Sequence, residues 1–127
     1  MANPQGISPT EQGNRELVEA FRAVTDQLWQ ELVSLIGESS AVSMWQSALQ
    51  ESRRHFPFLG GIDVEAVGVR VDRLRANVIS LDRSTLRSGL LAFMNSLEVI
   101  MVDLTGDVLM RKVGPLVRQL KRQLDEE

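Results

Sequence analysis

The chain has 127 residues, with 14 Lys+Arg against 17 Asp+Glu for a net charge of −3, one histidine and no cysteine. That length is enough for one domain with one core and needs no staple. The missing cysteines exclude disulfides, thiolate nucleophiles and thiolate metal sites together and fit a reducing compartment. A cytoplasmic protein is therefore expected, and the mildly acidic balance gives no reason to expect nucleic acid as a partner.

Residues 1–8 read as a flexible N-terminus with neither a basic nor an apolar export region. No later stretch approaches the ~18 uninterrupted apolar residues of a membrane span, so no membrane partner is expected. Ser8-Pro9-Thr10-Glu11 then forms a capping box with proline at the first helical position. Leu17, Phe21, Val24, Leu28, Leu32 and Leu35 follow in steps of three and four, which predicts a helix from Pro9 to Ile36. Gly37 supplies a left-handed residue to end it, and Ser39 or Ser40 is placed to cap a second helix. Ala41, Met44, Trp45, Ala48 and Leu49 continue the apolar stripe until the helix ends before Pro57. Residues 9–54 thus make a first helical hairpin.

Residues 55–81 form an irregular connector, interrupted by Pro57, Gly60, Gly61 and Gly68. Val67 to Val71 alternates like a short strand that Ile62-Asp63-Val64 could pair with as a hairpin. Val71 to Ile79 reads equally well as strand or as a helical turn or two. Asp82 or Ser84 can cap the next helix, where Leu86, Leu90, Phe93, Leu97, Met101 and Leu104 repeat the three-four stepping up to Thr105-Gly106. Val108, Leu109, Val113, Leu116, Val117, Leu120 and Leu124 carry the fourth helix, interrupted by Gly114-Pro115, where a kink or a break with a restart is expected. Residues 82–124 make the second hairpin and residues 125–127 a flexible tail.

The two hairpins are in phase. Leu17 to Gly37 aligns with Leu86 to Gly106 at an offset of 69 residues, with six apolar positions matched and an acid after each glycine, Glu38 or Asp107. Duplication and convergence on hairpin chemistry both account for this. Either way, broad apolar faces must be buried, so the expected fold is mainly all-α: two helical hairpins in a four-helix bundle-like domain, closed within one chain or between two. The third helix is apolar around most of its circumference, which predicts a central helix and a dimer interface on part of it.

The chemistry is mostly absence. His55, the only histidine, sits where a helix ends before Phe56-Pro57 and reads as a helix-end residue; two-histidine metal motifs are excluded within one chain. Asp63, Glu65 and Asp72 have no acid/base or oxygen-cage spacing, and Gly60-Gly61 and Gly68 no phosphate-loop context. No catalytic residue, metal or cofactor is expected. Arginines crowd the connector, and Arg70, Arg73 and Arg75 there, with Arg118 and Arg122 on the last helix, are candidates for anion or acidic-partner contacts. Trp29 lies off the main stripe and, with Leu91, Met94, Val99 and Val102, is a candidate interface residue. The expected role is a non-enzymatic helical protein-protein interaction or regulatory module. It is expected to be a homodimer in bacterial-type intracellular signalling or assembly. The alternative is a sensor domain that binds a small apolar molecule between its helices.

Overall fold

The computed structural model describes residues 9–65, 68–71, 73–74 and 81–125. Helix α1 (Pro9–Ile36) and helix α2 (Glu38–Arg53) form the first hairpin, and α3 (Arg83–Thr105) and α4 (Val108–Asp125) the second. Between them lie a 3-10 helix (Pro57–Gly61) and strands β1 (Asp63–Glu65) and β2 (Gly68–Arg70). The four helices pack against each other in an all-α bundle-like fold: α2 lies on α3, α3 on α4, and α4 returns to α1. Contacts between α1 and α3 across the diagonal are lighter.

Both helix-terminating glycines have positive φ, 86° at Gly37 and 63° at Gly106, a region that L side chains rarely adopt. In each turn the glycine N–H donates to the carbonyl four residues back, Val33 at 2.9 Å and Val102 at 2.8 Å. The matched phase of the two hairpins is therefore also a matched turn. The serines expected to cap α2 do not: Gly37 takes the cap position without a side-chain bond, so Ser39 and Ser40 fall inside the helix. At α3 the capping residue is Asp82, whose carboxylate accepts from the Thr85 N–H at 3.1 Å. Ser8 of the expected capping box lies outside the described residues.

The N-terminal end of α2 stands beside the C-terminal end of α3, so both glycine turns lie at one end of the bundle. At the opposite end the Asn14 side-chain amide donates to the Leu81 carbonyl at 2.8 Å and ties the starts of α1 and α3 together. The helices thus run up, down, up and down.

Packing centres on Phe93 of α3, fully buried. Its ring meets Phe21 of α1 edge-on at 6.0 Å and Trp45 of α2 at 5.4 Å, and Trp45 meets Trp29 of α1 at 5.8 Å. Such tilted and T-shaped contacts add to simple burial. The two buried hydroxyls near this core are satisfied within their own helices: Thr25 donates to the Phe21 carbonyl at 2.8 Å and Ser52 to the Ala48 carbonyl at 2.7 Å.

In the connector, β1 and β2 pair antiparallel, with Val64 opposite Val69. The expected hairpin exists, shifted to end at Glu65 and begin at Gly68; Val67 lies outside the described residues. Arg73 and Leu74 are helical, and residues 75–80 lie outside the description. The Pro57–Gly61 3-10 helix has no counterpart in the sequence reading. It folds back so that Phe58 covers Gly89 of α3, where any side chain would collide with the ring.

Of the kink or break expected at Gly114-Pro115, the break does not occur; α4 is a single helix through Pro115. Pro115 is exposed, as is Arg111, whose carbonyl loses its helical donor, so water can satisfy that group while Val113 and Val117 hold both sides in the core.

Two stability measurements follow. Phe93→Ala should lower unfolding free energy by about 3–5 kcal/mol in denaturant titration, because it empties the junction of three helices. Pro115→Ala should raise it by about 1–2 kcal/mol, the interior-proline penalty less the unfolded-chain entropy that proline removes.

Candidate functional site

Helix α3 sits at a corner of the bundle, and three surface grooves border its outward half, while a fourth, of about 390 Å³, lies between α2 and β1. Leu86, Leu90, Phe93, Met94, Leu97 and Met101 are buried inward. Ser88, Asn95, Val99 and Val102 face solvent, with Ala92 half-buried among them. On the α2 side lies a groove of about 490 Å³, lined by Ser39, Ser40, Ser43 and Ser47 opposite Ile100, Asp103 and Leu104. Farther along, Glu51 faces Asn95, Ser96 and Val99 across a second hollow of about 360 Å³. On the α4 side a third, also about 360 Å³, is bounded by Glu98, Val99, Val102 and Met110. Val99 borders two of the three.

Five large apolar side chains are exposed in the described residues: Leu35 42%, Val99 59%, Val102 47%, Leu104 68% and Val108 59%. Leu35, Leu104 and Val108 stood on core stripes in the sequence. They are exposed because those stripes overrun the end of the bundle, where the two glycine turns leave no helix to cover the last positions. Leu35 and Leu104 are the matched pair nearest the two glycines, so both hairpins bring an uncovered leucine to the same end.

The expected interface residues divide. Val99 and Val102 lie on the open face of α3, and Leu91 is half-buried beside it. Trp29 and Met94 are corrected to core residues: Met94 is fully buried, and Trp29, 6% exposed, packs edge-on against Trp45. Neither offers surface to another molecule. Trp29 looked off-stripe because one α1 face was counted, whereas α1 is covered by both α2 and α4 and buries a wider arc.

The candidate anion-binding arginines do not assemble into one described site. Arg73 is already engaged, its guanidinium 3.1 Å from both the Gly60 carbonyl and the Asp63 carboxylate. Arg70 is exposed on β2, and Arg75 lies outside the described residues. Arg118 and Arg122 are exposed one turn apart on α4, where Lys121 beside them pairs with Glu98 of α3 at 2.7 Å. His55 is exposed in the turn after α2, its N–H donating to the Ser52 carbonyl at 3.2 Å. Among the described residues no group of three or more His, Cys, Asp or Glu side chains stands together as a metal site. The indole N–H of Trp45 is buried with no acceptor among the described residues.

Length and composition alone make α3 the one described helix apolar enough to cross a membrane, with mean hydropathy 1.3 over the qualifying window. Only 33% of that window is buried in the chain. Its large apolar side chains are mostly in the core or packed against it, and Val99, Val102 and Leu104 are the ones left exposed.

Substitution separates the two groups of interface candidates. Met94→Ala should cost about 2–5 kcal/mol and Trp29→Ala about 3–5 kcal/mol in denaturant unfolding. Val102→Ala should stay within about 0.5 kcal/mol of the parent protein. Comparison with known proteins finds no family model that matches the chain, no similar curated sequence and no similar solved structure.

Proposed function

We propose that this chain is a non-enzymatic helical interaction module that works as a homodimer through the outward face of α3. The observation that carries the reading is the exposure of Val99 and Val102, one turn apart on the outward face of α3, a helix whose inner face already fills the core. Clustered exposed apolar surface marks sites of association. The small side chains around it let another helix approach closely: four serines on α2, and Ser88 and Ala92 on α3.

The alternative of a sensor for a small apolar ligand has less support. Such a ligand needs room between the helices, and there the rings of Phe21, Phe93, Trp45 and Trp29 are in mutual contact. A signalling or assembly role within the cell remains part of the proposal and rests on the interaction surface alone.

Light scattering over a concentration series tests the reading. The parent protein should shift from monomer to dimer by high micromolar concentration. The double substitution Val99→Glu with Val102→Glu should abolish the shift while leaving the melting temperature near that of the parent, because both positions are exposed. A parent protein that stays monomeric throughout sinks the homodimer.

A further inference from the structure

The two-stranded sheet of the connector has two outer edges. Strand β2 lies against α1, and β1 opens on the groove of about 390 Å³ between it and α2. We propose that this groove receives an extended acidic segment of a partner protein, which adds to β1 as a third strand. None of the residues that line it also lines the grooves beside α3, so the site is separate from the homodimer surface.

Backbone geometry shows that the edge is open. Two residues separate β1 from β2, and the register pairs Glu65 with Gly68, Val64 with Val69 and Asp63 with Arg70. A hairpin closed over two residues makes the pair beside the turn a hydrogen-bonded one, and the pairs alternate from there. Glu65 and Asp63 therefore bond to β2, whereas the N–H and C=O of Val64 point away from it. No backbone group among the described residues bonds to either. The Val64 side chain belongs to the core, so what this residue shows the groove is its backbone edge. Ile62 is also extended, with φ −93° and ψ 122°, and its carbonyl continues the same edge. An unpaired edge of this kind is a template for another strand.

Charge selects the occupant. Two charged side chains line the groove, and one of them, Asp63, is already held by Arg73 at 3.1 Å. The other is Arg53, exposed in the last turn of α2 and in no ion pair among the described residues, since its neighbour Glu51 lies 3.6 Å from Arg54 instead. Gln50 and Gln46 stand one and two turns before Arg53, both exposed, and their amides are likewise unengaged among the described residues. The groove thus offers a free guanidinium and two amides above an open strand edge.

In strand addition the main chain supplies the hydrogen bonds and alternate side chains supply the selection. Every second side chain of the added strand points at α2, where a carboxylate fits the Arg53 fork and a basic group would meet a like charge. The stripe from Gln46 to Arg53 is about 10 Å long at ~1.5 Å per residue, the span of about three extended residues.

Random heptapeptides displayed on phage and selected on the protein test the proposal. Selected peptides should carry Asp or Glu at alternate positions, and their binding should convert the Val64 amide from fast to slow hydrogen exchange by NMR. Arg53→Gln should weaken them about tenfold, and Arg53→Glu should favour their lysine counterparts. Methylating the peptide nitrogens that face β1 should abolish binding with every side chain kept. The proposal is overturned by a selection that yields no binder, by binders that leave Val64 unprotected, or by affinity that Arg53→Glu does not change. A Val64 amide already slow in the free monomer overturns it too, because the edge is then paired. Protection that grows with protein concentration alone gives the edge to a second copy and removes the acidic partner. Each measurement is made on the Val99→Glu, Val102→Glu variant as well, where the same peptide binding is expected, so that light scattering alone decides the homodimer.

Discussion

The bundle depends on how Phe93 is seated. Its ring is the one aromatic that touches both α1, through Phe21, and α2, through Trp45. Interiors pack at crystal-like density, so these contacts set how far α1, α2 and α3 stand from one another and how α3 is rotated about its axis. With Phe93 turned inward, Leu86, Leu90, Leu97 and Met101 follow it and Asn95, Val99 and Val102 must turn out. The open face of α3 is a consequence of its core face, set by the helical period.

The glycine turns impose the second constraint. Each places a positive φ at the point where a hairpin reverses, and the up-down order brings both turns to one end. A turn that tight leaves the last residues of the entering helix without a neighbour. Leu35 and Leu104 are exposed for that reason, and Val108 joins them because α4 begins directly after the second turn. At the other end the chain takes longer to return, and the 3-10 helix, the small hairpin and the Asn14–Leu81 bond close the bundle there. One end is therefore sealed by the connector and the other is left apolar and open.

Much of the fold was legible in local chemistry. The bounds of α1, the reversal at both glycines and the existence of a small antiparallel hairpin follow from apolar spacing, a turn residue and alternating valines, all short-range signals. What failed did so where local rules met tertiary context. Gly114-Pro115 looked like a kink or a break, and the helix is not broken there: a proline on the solvent side leaves its orphaned carbonyl to water, and the core residues around it hold the helix together. Ser39 and Ser40 looked like caps, but Gly37 ended one helix and began the next, moving the serines into the groove beside α3.

The sequence by itself determined four amphipathic helices in two matched hairpins and the lack of any metal-type histidine or cysteine motif, because period, glycine geometry and residue chemistry are local properties. Only the tertiary structure decided which apolar residues are core. Trp29 and Met94 were indistinguishable from Val99 and Val102 as candidates, since a helix apolar on most sides carries no mark of which side its neighbours cover. Packing of α2 and α4 on either flank of α3 settled that, and it left Asn95, Val99 and Val102 facing outward.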